Sequence, residues 1–179
     1  MEIASLYLTE TIKSFRGLKS NTEKAFGQIS EAEFHQQPEP SSNSVAIIIK
    51  HLAGNMRSRF TNFLTTDGEK PDRKRDLEFI DGFKTHSEIL AAWENGWKCM
   101  FNALSELNEN NLTAMVYIRE EPHTVLRALQ RQLVHYAYHC GQIVFLCKQI
   151  RAGHFESLSI PVGKSEEYKV KAPRETPEK

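Results

Sequence analysis

Residues 132–150 read QLVHYAYHCGQIVFLCKQI. Apolar side chains recur through this stretch at the spacing of one helix face, yet His135 and His139 stand four apart inside it. Residues i and i+4 lie one turn apart on the same face, so both imidazoles can aim at one atom. That geometry lets histidine pairs hold metal ions in other helical motifs. The plain alternative is a pair of hydrogen-bonded core histidines. With 7 histidines in 179 residues, chance places some pair four apart in roughly one sequence of four, so the spacing alone does not decide between them.

The same period extends outward from this helix. The fourth helix is expected over about 122–151, with Pro122 in its first turn and Gly153 just past its end. Ile3, Leu6, Tyr7, Ile12, Phe15, Leu18, Phe26 and Ile29 predict a first helix over about 2–29. NSVAIIIKHLAGNMRSRFTNFLT predicts a second over about 43–65, capped by Asn43 or Ser44. The stripe from Phe83 through Trp93 and Trp97 to Leu107 predicts a third over about 82–107. Between the third and fourth, TAMVYIR reads as a short extended piece, and the chain from Phe155 onward has no helical period. Four amphipathic helices of this length imply an all-α fold, a four-helix bundle. The expected organisation is one domain over 1–165 and a flexible C-terminal tail over 166–179.

Composition removes several function classes. The 23 basic and 23 acidic residues cancel, so no global field favours nucleic acid or an anionic membrane surface. No apolar run approaches the ~18–20 residues of a membrane span, and the N-terminus lacks the pattern of a signal peptide. A cytoplasmic location is therefore expected. Cys99, Cys140 and Cys147 are odd in number and fall inside helical patterns. They read as small buried hydrophobes rather than a disulfide framework. Neither Cys140 nor Cys147 shares a usable direction or height with His139.

A third metal ligand has to come from another helix. His51, after an isoleucine run in AIIIKHLAGNM, is the best placed. His35 lies near a Pro-rich loop, His86 and His123 begin helices, and His154 follows one. His51 is also readable as a hydrogen-bonded core residue.

Three segments together carry a resemblance to a known family: SVAIIIKHLAGNMRSRFTNFLTTDGEKPDR, RQLVHYAYHCGQIVFLCKQI and FESLSIPVGKSEE. With them the chain resembles the DinB/YfiT-like superfamily of metalloenzymes, in a Bacillus-type branch of unknown function. The resemblance implies a four-helix bundle holding a divalent metal, zinc or nickel foremost, on three histidines. One comes from the second helix and two, four apart, from the fourth; these positions fall on His51, His135 and His139. It further implies a homodimer, a small-molecule substrate, and a low-molecular-weight thiol as a candidate cofactor.

Three neutral imidazoles leave a metal open positions, the mark of a catalytic rather than a structural site. The expected function is a metal-dependent, thiol-using S-transferase or a hydrolase; the alternative is a non-catalytic metal- or ligand-binding bundle, serving for instance in stress response. No general base is evident in the sequence. Asn55, one turn after His51, is a candidate for the pocket, and Arg131, Gln132 and Gln142 are candidates to steady an imidazole. Tyr136 and Tyr138 read as core or helix-contact residues. The cations of DGEKPDRKR at 67–75 read as a solvated loop, with recognition of an anionic substrate as the lesser alternative. Trp93 and Trp97 read as core or a subunit contact.

Overall fold

Ser44 starts the second helix: its hydroxyl accepts the Ile47 amide at 3.2 Å, satisfying an N-terminal donor that has no partner within the helix. Thr85 and Thr124 cap the third and fourth helices in the same way. The computed structural model describes residues 3–167, in which the helices are α1 (Ile3–Phe26), α2 (Val45–Phe60), α3 (His86–Ser105) and α4 (Val125–Arg151). The all-α bundle expected from the periodicity is present. The expected tail lies outside the described residues from 168 onward, as does residue 2.

Every helix is shorter than its hydrophobic pattern. The apolar spacing continues past the cap because the turn that follows still faces the core. Phe63 lies beyond the end of α2, yet packs on Phe60 with ring centres 5.2 Å apart. The left-handed Asn62, at φ 50°, lies in the turn that follows α2. Past the end of α4, the residue with positive φ is Ala152, at 46°, rather than Gly153.

The start of α4 needs a larger correction. Pro122 does not open the helix. It lies in strand β2 (Glu121–Thr124), paired antiparallel with β1 (Met115–Ile118), where it faces Tyr117. His123 is accordingly a buried strand residue and not a helix start. The two-residue turn, Arg119 and Glu120, has φ of 57° and 64°. Positive φ at both positions gives the twist that tight hairpins need.

The helices pack α2 on α3 and α1 on α4, with a further α2–α4 seam. Phe15, Leu52, Trp97 and Tyr136 meet at the centre, each fully buried. Trp93 and Trp97 are core, edge to face at 5.4 Å, which settles their reading against a subunit contact. Gly96 allows the close crossing of α2 and α3, since a Cβ there would stand 2.9 Å from the Ala53 Cα. All three cysteines are free; Cys140 and Cys147 are buried and Cys99 is partly so. Among the described residues, no helix is long and apolar enough to cross a membrane.

Candidate metal centre

The α2–α4 seam brings His51 against His135 and His139. The three rings each offer a nitrogen, and these nitrogens all lie within 4.8 Å of one another. His51 Nε2 and His135 Nε2 are 3.2 Å apart. Two nitrogens bound to one tetrahedral zinc stand about 3.4 Å apart, given bonds of 2.0–2.1 Å, so this spacing suits a shared ion. The far nitrogens of two rings are fixed as well, while His135 Nδ1 is buried without a hydrogen-bond partner among the described residues. His51 Nδ1 meets Glu78 Oε2 at 2.9 Å, and His139 Nδ1 meets Gln142 Oε1 at 2.8 Å. A carboxylate or amide oxygen on Nδ1 selects the tautomer whose Nε2 is a free electron-pair donor. The donor set therefore fits a divalent ion, and the group can hold one.

Electrostatics points the same way. Burial, then the neighbouring His139 and His51, push the His135 imidazole down to about 3. Burial also lowers His139, partly offset by its bond to Gln142. Both rings stay neutral at ordinary pH, the state a metal requires.

Of the residues expected around the site, Gln142 does orient a ring. Asn55 does not line a pocket: it is buried, and its Oδ1 accepts the Tyr136 hydroxyl at 3.0 Å, tying α2 to α4. Arg131 is exposed and makes no hydrogen bond to an imidazole among the described residues. Gln132 is buried, with its Oε1 unpartnered among the described residues. Tyr136 is core, as expected, but Tyr138 is 66% exposed. It lines a cavity of about 650 Å³ that runs along α4 beside Gln142, with Ile48 and Phe145 on its other walls. His35, His86, His123 and His154 lie outside the cluster.

Glu78 is the residue that sequence reasoning missed. It sits in a 3-10 turn, Arg75–Phe79, within the charged loop. The 67–75 run is not a simple solvated loop: the Arg73 side chain is 5% exposed. Arg73 Nε and Nη2 grip the two Glu78 oxygens at 2.8 Å each. Burial alone would raise the Glu78 carboxyl, but the hydrogen bonds from His51 and Arg73 and the Arg73 charge hold it below the ordinary range. Phe79 then stacks on His51 at 4.7 Å. The loop is in turn fastened to the hairpin. The Asp67 carboxylate accepts the Arg119 and Glu120 amides at 2.9 and 2.7 Å, and Glu69 bridges Arg59, Arg73 and Arg119. The close approach of Glu78 to α2 requires Gly54, where a Cβ would stand 2.3 Å from Glu78 Oε1. The only sequence signal was an acid near a His-bearing helix with a glycine three residues after the histidine, and spacing gives no reason to join them.

A family model described as "Protein of unknown function (DUF1572)" matches residues 2–164. No curated protein and no solved structure matches the chain.

Proposed function

The chain belongs to the DUF1572 family of unknown function, and on that footing we propose a DinB-like, divalent-metal-dependent enzyme with His51, His135 and His139 as its ligands. The observation that carries this reading is the convergence of three ring nitrogens within 4.8 Å, two of the rings being oriented from behind by Glu78 and Gln142. A bound divalent ion, zinc or nickel foremost, would supply Lewis acidity, lowering the pKa of a water or thiol.

The surrounding residues favour a thiol. The carboxylate that touches the triad, Glu78, has its oxygens taken up by Arg73 and His51, so it orients a ring rather than accepting a proton. A nucleophile at this site must shed its proton without help from that group. A thiol, with an ordinary pKa of about 8.5, does so far more readily than water. The reading is therefore an S-transferase: a low-molecular-weight thiol loses its proton, its sulfur forms a bond to an electrophilic carbon, and the leaving group departs with the bonding electron pair. The cavity beside Gln142, with Tyr138, Ile48 and Phe145 as well as Ser41, Asn43 and Gln149 on its walls, offers the electrophile a berth of mixed polarity, joined to His139 through Gln142. Hydrolysis is the less favoured chemistry at the same centre. In this reading the protein acts in the cytoplasm on a small molecule, with no role for nucleic acid or membrane; its zero net charge and free cysteines support that. A homodimer would cover the exposed Val134 of α4. Among the described residues no unengaged base stands beside the triad, which supports a second reading, a bundle that binds metal without turnover.

Elemental analysis of the purified protein beside His51→Ala/His135→Ala tests the centre. The wild type is expected to carry about one metal per chain and the double variant none. No metal in either, after zinc and nickel are both offered, would reduce the triad to core histidines. Consumption of a thiol with an electrophile by the loaded protein then separates transferase from binding bundle.

A further inference from the structure

On the α3 side of α2, residues 61–80 enclose a cavity of about 1000 Å³. Lys50 and Arg57 of α2 and Lys70, Arg73 and Lys74 of the loop lie on its wall, with Asp72 and Glu78 as the acids. Arg73 and Glu78 neutralise each other through their paired hydrogen bonds. Four cations are left facing one carboxylate. Among the described residues, none of the four has a carboxylate within ion-pair distance. Lys50 Nζ donates to the Ile80 carbonyl at 2.7 Å and Lys70 Nζ to that of Asp67, so uncharged oxygens are their partners. Burial holds the Lys70 ammonium below its usual range, although Asp67 and Asp72 oppose the shift.

This charge is a matter of placement, because the chain as a whole carries no net charge. Like charges gathered around a concave surface repel one another and focus a positive potential into it. Leu77, Phe83 and Ala92 give the wall an apolar part, and Thr61, Asn62 and Asn95 an uncharged polar part. The volume suits a cofactor-sized molecule. We propose that this cavity binds a small organic anion, a phosphate or carboxylate head on an apolar body. The histidine triad is not on its wall, although Glu78, which bonds His51, is; the four cations take no part in the metal centre, so the proposal does not need a bound metal.

Cys99 lies on the cavity wall and supplies the readout. Cys140 and Cys147 are buried, with their thiols pushed up by burial to about 11 and about 12, so uncharged iodoacetamide at neutral pH reports on Cys99. Phenyl phosphate and benzoate are the two probes, with sodium chloride at matched ionic strength as the control. At least one probe is expected to slow alkylation saturably, about tenfold at ten times its Kd; which one does so identifies the head group. Arg57→Gln/Lys74→Gln, both exposed positions, should still be alkylated but lose the protection. His135→Ala/His139→Ala, which leaves the His51–Glu78 contact in place, should keep it, which separates this site from the metal centre. Calorimetry reads the same binding without the thiol, with a single site per chain expected. The proposal is overturned if neither anion binds better than the salt control, or if protection survives in Arg57→Gln/Lys74→Gln.

Discussion

Helix α4 and the loop of residues 61–80 each steady one of the three histidines, and they do so by opposite routes. α4 supplies His135 and His139 and also the amide that steadies one of them, Gln142. All three stand on one face because 3.6 residues make a turn. The loop supplies no ligand. It brings the Glu78 carboxylate to His51 across 27 residues of chain, and it can do so only because Asp67 and Glu69 fasten it to Arg119 and Glu120 in the hairpin. One anchor is neutral and local; the other is charged and depends on the whole fold. The difference teaches that the ring most exposed to tertiary error, His51, has the stronger anchor. A charge-assisted hydrogen bond is roughly twice as strong as a neutral one.

That contrast is open to attack by substitution. Glu78→Gln should weaken metal binding about 10–100-fold, and Gln142→Ala by less, as read by competition with a chelating dye. Equal losses would erase the distinction between the two anchors. Gly54→Ala sharpens the same point from the opposite helix, because its Cβ would displace only the end of the Glu78 side chain. Its affinity loss should match that of Glu78→Gln, with the helical circular dichroism signal unchanged.

A smaller effect tests the α4 side through pH. His135 is held at about 3 in the fold, against about 6.5 in an unfolded chain. Between these values the unfolded chain takes up a proton that the metal-free fold refuses. Stability should therefore fall as pH falls through that window, by up to about 1.4 kcal/mol per pH unit. Between about pH 6.5 and 5, the urea midpoint of the metal-free wild type should drop more steeply than that of His135→Ala. Parallel profiles would mean the ring is not held neutral. The smallest change expected is from Tyr136→Phe, which leaves the buried Asn55 oxygen without its donor. It should cost about 1 kcal/mol in denaturant titration and leave metal content untouched.

Much of α4 is legible in the order of its residues. Its period, its histidine spacing and Gln142 are all local features, as is the Ser44 cap of α2, which follows from the chemistry of unpaired amides; the Thr124 cap of α4 does not stand out in the same way. Pro122 misleads because a proline suits both a first helical turn and a hairpin strand. What decides for the strand is the pairing of Glu121–Thr124 with Met115–Ile118. The basic run at 67–75 misleads for a related reason. Composition gives the charge of Arg73 but not the depth at which it sits, and that depth depends on the half-buried Glu69 and the buried Glu78 pairing with it.

The sequence by itself determined the four helices, the register of His135 with His139, and the absence of a net field. Each of these rests on a repeat or a sum that neighbouring residues fix among themselves. Only the tertiary structure decided that Glu78 stands behind His51, that Asn55 serves Tyr136 rather than a pocket, and that four cations with no carboxylate partner among the described residues surround one cavity. Such contacts join residues tens of positions apart, and they form only once packing of the helices and the hairpin has offset the entropy of closing the loops between them.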